Sequence, residues 1–119
     1  LVERHYIQID LKTGIIQIDD LSETLETNNI NILRWSVSYA QDEHYIYTIG
    51  EMNPTHFQTD YTPQCILAFN KKSKRINWCY RFEEDSINTD VPIKKGKRLY
   101  QKSSSDKLYI FELLTQPTV

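Results

Sequence analysis

Apolar and polar residues alternate in short segments along this chain, and the segments come in pairs around turn residues. Side chains of a β-strand point alternately to its two faces, so a period of two predicts strands with one face buried. In the first pair, residues 5–10 lead into Thr13-Gly14 and residues 15–18 return. Gly14 supplies the positive φ that such a turn needs, so this pair predicts an antiparallel hairpin.

Three further pairs have the same form. They are residues 33–39 with 45–49, residues 65–69 with 75–80, and residues 98–101 with 108–111. The sequence therefore predicts an all-β fold, an antiparallel meander of about eight short strands in four hairpins.

One short helix is predicted near residues 20–28. Asp20 is a typical N-cap residue, Leu21 and Leu25 are spaced for one helical face, and Asn28-Asn29 ends the pattern. Two longer connections remain, residues 51–64 and 83–97, and loops of this length in a small β domain are often functional.

The length of 119 residues fits one hydrophobic core, so we predict a single β-rich domain over residues 1–119. With 39% hydrophobic and 25% charged residues, the composition is that of a folded globular protein. No apolar run reaches the roughly 20 residues of a membrane-spanning helix. We therefore expect a cytoplasmic protein with no membrane partner.

A weak internal repeat is present. Residues 9–16 align with residues 69–76, and residues 42–47 align with residues 106–111. The similar offsets predict two four-strand units, about 1–62 and 63–119.

The turn Asp10-Leu11-Lys12-Thr13-Gly14 and the strand end Ile76-Asn77-Trp78 resemble the blade repeats of quinoprotein-type (PQQ-like) β-propellers. In those blades a strand, an Asp-x-x-Thr-Gly turn and a strand ending in Trp follow one another. Ile18 departs from the pattern where the first Trp would stand, and residues 70–74 lack the Asp, Thr and Gly. A propeller ring closes with about 4–8 blades, and this chain is long enough for only two. The resemblance therefore implies either a fragment of a propeller or a similarity that is limited to the turns of the hairpins. The quinone and metal ligands of the family have no matching positions, so the resemblance implies no cofactor.

Catalytic patterns are few. The three histidines, His5, His44 and His56, show no metal-ligand spacing such as His-Glu-x-x-His. Among them, only His56, in the first long connection, has a natural position for catalysis. We therefore predict that the protein is not an enzyme and has no catalytic residues, metal site or cofactor.

The two cysteines, Cys65 and Cys79, lie symmetrically about Lys72 in the third strand pair. Antiparallel pairing would make them near cross-strand neighbours, close enough to touch. A disulfide and two free thiols both remain open.

The net charge of −2 conceals an asymmetry. Residues 1–62 carry three Lys/Arg against ten carboxylates, a balance of −7, whereas residues 63–119 carry eleven against six, a balance of +5. If the two halves lie side by side the protein is a dipole, and if they interleave the asymmetry has no spatial meaning.

The acidic half and the many aromatic residues predict a non-enzymatic protein-binding module. We predict an inhibitor of the bacterial immunity class, which would occlude a basic partner such as a toxin nuclease. Without its partner such a protein is expected to be a monomer. The candidate partner-binding residues are Glu23, Glu26, Trp35, Tyr39, Asp42, Glu43, Glu51, Asp60 and Tyr61.

Two alternatives come from other classes. One is a fragment of a β-propeller scaffold. The other is a nucleic-acid contact module, in which the basic clusters at residues 71–75 and 94–98 contact phosphates and aromatic residues such as Trp78 stack on bases.

Overall fold

The computed structural model describes residues 4–35, 39–53, 63–83, 85–87 and 90–114. Within these ranges the chain forms antiparallel strands in three sheets and one short helix, so the predicted all-β fold is confirmed. In chain order the elements are β1 (His5–Ile9), β2 (Ile16–Asp20), α1 (Ser22–Thr27), β3 (Ile30–Leu33), β4 (Tyr39–Gln41), β5 (Tyr45–Met52), β6 (Gln64–Asn70), β7 (Arg75–Arg81), β8 (Ile93–Lys95), β9 (Arg98–Lys102) and β10 (Leu108–Glu112).

The described residues form ten strands where the sequence predicted about eight, for two reasons. The predicted strand over 33–39 is divided into β3 and β4, which pair with opposite ends of the long strand β5. The connection 83–97 contains the additional strand β8, which turns into β9 at Gly96. Gly96 has a φ of 58°, a backbone conformation that glycine adopts without strain.

The five-stranded central sheet has the order β3-β5-β6-β7, and β4 also pairs with β5. Residues 64–69 of β6 are all buried. Leu67 and Phe69 belong to the core on one face of this sheet, and Ile66 and Ala68 belong to the core on the other. Because both faces of β6 carry apolar side chains, the sheet needs a covering layer on each side.

The first covering layer is formed by α1 and the start of β1. Leu21 and Leu25 are buried against the central sheet, as their spacing predicted. The Tyr6 ring lies 5.2 Å from the Phe69 ring between centroids. The predicted N-cap was wrong: Leu21 occupies that position, and Asp20 is the last residue of β2, where its carboxylate accepts from the N–H of Ser22 at 2.9 Å. No helix in the described part of the chain is long and apolar enough to cross a membrane.

The second covering layer is the three-stranded sheet with the order β10-β9-β8. Its inner face contributes the fully buried Leu99 and the ring of Phe111 to the core that also contains Ile66 and Ala68. Phe111 stacks on Trp78 of β7 with a centroid distance of 5.9 Å. The central sheet therefore lies between two layers, each of which buries one of its faces.

The two turns aligned by the internal repeat have the same hydrogen bonds. The carboxylate of Asp10 accepts from the N–H groups two and three residues later, and its carbonyl accepts from Gly14. The side chain of Asn70 accepts from the equivalent two N–H groups, and its carbonyl accepts from Lys74, whose φ is 61°. The central sheet combines strands from both predicted units, 1–62 and 63–119, because β5 of the first unit pairs with β6 of the second.

Asp85 anchors the segment between β7 and β8. Its carboxylate is buried and accepts hydrogen bonds from the Tyr109 hydroxyl at 2.7 Å and from the Ser105 hydroxyl at 2.9 Å. Burial raises the pKa of Asp85, but the hydrogen bonds from Tyr109, Ser103, Ser105 and Ser86 together lower it to about 2. This network attaches the segment to the turn between β9 and β10.

We predict that Asp85→Asn lowers the free energy of unfolding at pH 7 by about 2–3 kcal/mol, because hydroxyl donors lose a charged acceptor. The pKa of about 2 lies below the value of about 3.9 in an unfolded chain, so this stability is present above pH 4 and is lost as the pH falls towards 2. Urea unfolding across this range measures the effect. The exposed Asp106→Asn is the matched control, and equal midpoints at pH 7 for the two variants would contradict the prediction.

The two cysteines are free thiols on the same face of the central sheet. Cys79 pairs with Leu67 rather than with Cys65, because β7 starts from the pair Asn70↔Arg75 and a register shift near Asn77 then moves it by one further residue. Cys65 is thus the diagonal neighbour of Cys79, and their thiols are hydrogen-bonded. This hydrogen bond raises the pKa of the buried Cys65 and lowers that of the exposed Cys79 to about 7.

We predict that Cys79 reacts with iodoacetamide at half its maximal rate near pH 7, whereas Cys65 stays unmodified in the folded protein. Cys65→Ala removes the donor and should return the midpoint to about 8.5. Cys65→Ser retains a hydrogen-bond donor and should leave the midpoint of the Cys79 reaction near the wild-type value. Mass spectrometry of the alkylated peptides gives the profiles, and a midpoint unaffected by Cys65→Ala would refute the assignment.

Candidate functional site

The two basic clusters lie on neighbouring turns that border one cavity. The turn between β6 and β7 contributes Lys72, and the end of β8 with its turn contributes Lys94 and Lys97. His44, in the turn between β4 and β5, lies on the same cavity, whose volume is about 790 Å³. The fold therefore brings together clusters that are separate in the sequence.

Asp42 organises the wall of this cavity. One carboxylate oxygen accepts from the N–H groups of His44 and Tyr45 at 2.9 and 2.8 Å, and the other accepts from the Tyr47 hydroxyl at 2.8 Å. Lys94 lies 3.8 Å from the carboxylate, and Lys71 donates to the Asp42 carbonyl at 2.6 Å. Asp42 thus fixes its own turn relative to the turn between β6 and β7 and to strand β8.

The same contacts determine the ionisation states of Asp42 and Tyr47. Partial burial raises the pKa of Asp42, but the three hydrogen bonds and the charge of Lys94 outweigh it and lower the pKa. Burial and the hydrogen bond to Asp42 raise the pKa of Tyr47 well above its usual value. The carboxylate is therefore ionised and the phenol neutral at physiological pH, and this arrangement holds the wall rather than transferring a proton.

A second cavity, of about 500 Å³, adjoins the first and shares Tyr45 and Tyr47 with it. Its walls include Trp78, Tyr80 and Phe111. Adjacent rings in this series are close, with centroid distances of 6.1 Å for Tyr45–Tyr47, 6.4 Å for Tyr47–Trp78, 5.9 Å for Trp78–Phe111 and 5.4 Å for Tyr80–Phe111. We call the two cavities together the basic-aromatic groove.

Two lysines of the groove have no carboxylate partner among the described residues, so their charges can attract an anionic ligand. Within the described residues, Lys72 and Lys97 have no carboxylate oxygen within 4.0 Å, and both are exposed. Lys94 lies near Asp42, and its ammonium also donates to the Gly96 carbonyl at 2.7 Å. One end of the groove is therefore positively charged, and the other is lined by aromatic faces.

The predicted acidic partner-binding residues are divided among separate places. Glu23 and Glu26 are exposed on α1, Asp42 and Glu43 lie in the turn before β5, and Glu51 lies at the far end of β5. A strand rises about 3.3 Å per residue, so the two ends of β5 are more than 20 Å apart.

Several of these carboxylates are paired within the chain. Glu23 lies 3.6 Å from Arg75, and Glu51 lies 3.9 Å from Arg34. The pairs Glu23–Arg75 and Asp42–Lys94 join the acidic half of the sequence to the basic half, so these charges of the two halves interleave.

The predicted aromatic anchors lie elsewhere. Trp35 is half-buried against Phe69 at 5.1 Å between ring centroids. It borders a separate cavity of about 410 Å³ together with the exposed Tyr39. Asp60, Tyr61 and the candidate catalytic His56 lie outside the described residues.

No group of three or more His, Cys, Asp and Glu side chains that could hold a metal ion is found among the residues the structure describes. Comparisons with protein-family models, with curated proteins and with solved structures found no match to this chain. The chemistry of the groove is therefore the basis for a functional proposal.

We predict that Tyr47→Phe raises the pKa of Asp42 and lowers the free energy of unfolding by about 1–2 kcal/mol, because a hydrogen bond to a charged acceptor is lost. Carboxyl ¹³C NMR titration and urea unfolding measure the two effects. Tyr45→Phe is the matched control, since the Tyr45 hydroxyl receives only a long 3.4 Å hydrogen bond from Asn77. An unchanged Asp42 titration in Tyr47→Phe would disprove the prediction.

Proposed function

We propose that this chain is a non-catalytic binding module that holds single-stranded nucleic acid in the basic-aromatic groove. One observation carries the proposal: the clusters at residues 71–75 and 94–98 border one cavity, and that cavity continues into a series of aromatic rings. Proteins that bind single strands combine a cationic path for the backbone with aromatic side chains on which bases stack.

In this proposal Lys72 and Lys97 contact phosphates, and the bases stack on Trp78 and Tyr80. Tyr80 is 43% exposed, so its ring offers a face to a ligand. Every base has an aromatic face, so this mode of binding requires no sequence preference. The exposed imidazole of His44 adds a further hydrogen-bonding group at the cationic end.

The inhibitor of a basic partner stays a prediction. It would need carboxylates gathered on one face, and the described candidates are spread over α1 and the two ends of β5. Glu26 and Glu43 are the exposed carboxylates from which such an interface would have to be built.

A second candidate function is a unit of a β-propeller scaffold. The matching turns at residues 10–15 and 70–75 and the face-to-face layering of the sheets support it. A scaffold unit has no reason to bind an oligonucleotide with salt-dependent affinity, so one titration separates the two candidates.

The experiment is fluorescence titration with a single-stranded oligonucleotide at several salt concentrations. Stacking on Trp78 should quench tryptophan emission, and the quenching should persist in Trp35→Phe and disappear in Trp78→Phe, because Trp35 lies on the other face of the central sheet. Lys72→Glu with Lys97→Glu should weaken binding and reduce the slope of log K against log salt by about 1.4, since each lost phosphate contact contributes about 0.7.

Lys12→Glu with Lys107→Glu is the charge-matched control. Both lysines are exposed, Lys12 in the turn between β1 and β2 and Lys107 at the opposite end of β9 from Lys97. Equal losses in the two double variants would indicate non-specific attraction and contradict the groove, and so would an absence of binding by the wild-type protein at low salt.

A further inference from the structure

Cys65 and Cys79 form a thiol pair on the face of the central sheet against which α1 packs. Cys65 lies directly opposite Arg81 and Cys79 directly opposite Leu67, so the two cysteines are diagonal neighbours on adjacent strands. Leu67 and Cys65 belong to the same core, which places both thiols on one face of the sheet. The Cys65 thiol donates a hydrogen bond to the Cys79 sulfur, so the two sulfur atoms are in contact.

The position of the Cys65 sulfur depends on Gly50, its direct partner on β5. A Cβ atom at residue 50 would lie 3.1 Å from the Cys65 Sγ and 3.1 Å from a methyl group of Leu67, which is closer than ordinary van der Waals contact. The backbone N–H of Gly50 also donates a hydrogen bond to the Cys65 sulfur. Glycine at this position therefore leaves room for the sulfur, which has the Gly50 backbone on one side and the Cys79 thiol on the other.

The two thiols differ in their access to solvent. Cys65 is 0% exposed, whereas Cys79 is exposed on β7, the last strand in the order of the central sheet. A reagent in solution therefore reaches the Cys79 sulfur and not the Cys65 sulfur. The thiolate is the nucleophilic form of cysteine, and the hydrogen bond from Cys65 lowers the pKa of Cys79 to about 7, so a large fraction of Cys79 is thiolate at neutral pH.

We propose that Cys79 is a site of reversible oxidation by a hydroperoxide, and that Cys65 completes the reaction by forming a disulfide with it. In the first step the Cys79 sulfur attacks one peroxide oxygen and the O–O bond breaks. Cys79 becomes a sulfenic acid, and the peroxide is reduced to an alcohol, or to water when it is hydrogen peroxide. In the second step the Cys65 sulfur attacks the Cys79 sulfur, the S–O bond breaks, and the hydroxyl group leaves with the Cys65 proton as water.

The diagonal placement of the two cysteines makes this disulfide easy to reduce. Diagonal neighbours lie farther apart than direct cross-strand partners, so closing the bond must draw β6 and β7 together. Strained disulfides are readily reduced by other thiols, so a small thiol such as glutathione should reverse the oxidation. The site is separate from the basic-aromatic groove, because Trp78 and Cys79 are consecutive residues of β7 and point to opposite faces of the central sheet.

Two single variants test the order of the steps, with alkylation and peptide mass spectrometry as the measurement. In Cys65→Ser the Cys79 sulfenic acid has no partner thiol, so dimedone should trap it, and excess peroxide should convert it to a sulfinic acid that glutathione does not reduce. In Cys79→Ser, a substitution at an exposed position, Cys65 should remain unmodified because it is buried. Oxidation of Cys65 in Cys79→Ser as fast as in the wild-type protein would contradict the assignment of Cys79 as the residue that peroxide reaches.

The wild-type protein alone decides whether the disulfide forms, so the proposal does not depend on the folding of a variant. After treatment of the folded full chain with dilute hydrogen peroxide at neutral pH, both thiols should become inaccessible to alkylation. The mass should fall by two hydrogen atoms, the peptides that contain Cys65 and Cys79 should be linked, and reduced glutathione should restore both thiols. A product in which Cys79 carries oxygen while Cys65 can still be alkylated would overturn the proposal. So would a disulfide between two chains, or a protein in which both thiols stay unmodified.

Discussion

Strand β6 lies in the middle of the molecule with both faces covered, and most of the architecture follows from that burial. Its side chains belong alternately to the two cores, with Leu67 on one side and Ile66 on the other. Burying a large aliphatic side chain contributes about 1.5–3 kcal/mol, so leaving either face open would forfeit much of the stability of a small domain. The layer of α1 and β1 and the layer of β8–β10 are therefore both needed, and the groove arises where the second layer meets the central sheet.

The charge asymmetry of the sequence is partly cancelled by the fold. Asp42 belongs to the acidic half, yet its carboxylate lies beside Lys94 of the basic half, and its backbone carbonyl accepts from Lys71. Glu23 on α1 is similarly close to Arg75 of β7. Surface ion pairs of this kind contribute little to stability. Their consequence is electrostatic, because they neutralise two carboxylates of the acidic half, whereas Lys72 and Lys97 at the groove have no carboxylate partner among the described residues.

The sequence predicted the local structure well. The hairpins, the short helix and the all-β class depend on residues that are close in the sequence, so their spacing can be read from the sequence. Examples are Gly14 in the first turn and the pair Leu21 and Leu25 at the helix. The division of 33–39 into two strands depends on which part of β5 each piece pairs with, a non-local choice that periodicity does not encode. The apolar run at residues 65–69 is uninterrupted, which is typical of a strand buried on both faces, but the prediction from the period of two did not use this signal.

The candidate site was harder to predict, because it depends on the packing of sheets. Each basic cluster was visible as a run of lysines, but only the docking of β8–β10 on the central sheet brings Lys72 and Lys97 to one cavity. The roles of Asp42 and Asp85 as acceptors for distant hydroxyl groups depend on contacts with Tyr47 and Tyr109. No local pattern around Asp85 indicated its burial.

Native-state hydrogen exchange tests whether β6 is enclosed by two layers. The amides of residues 64–69 should exchange only through global unfolding, together with their partners in β5. The amides of β1 and β2 beyond Tyr6 should exchange orders of magnitude faster at dilute concentration, since few contacts protect that hairpin. Exchange of β6 as fast as that of β2 would show that β6 is not enclosed by two layers.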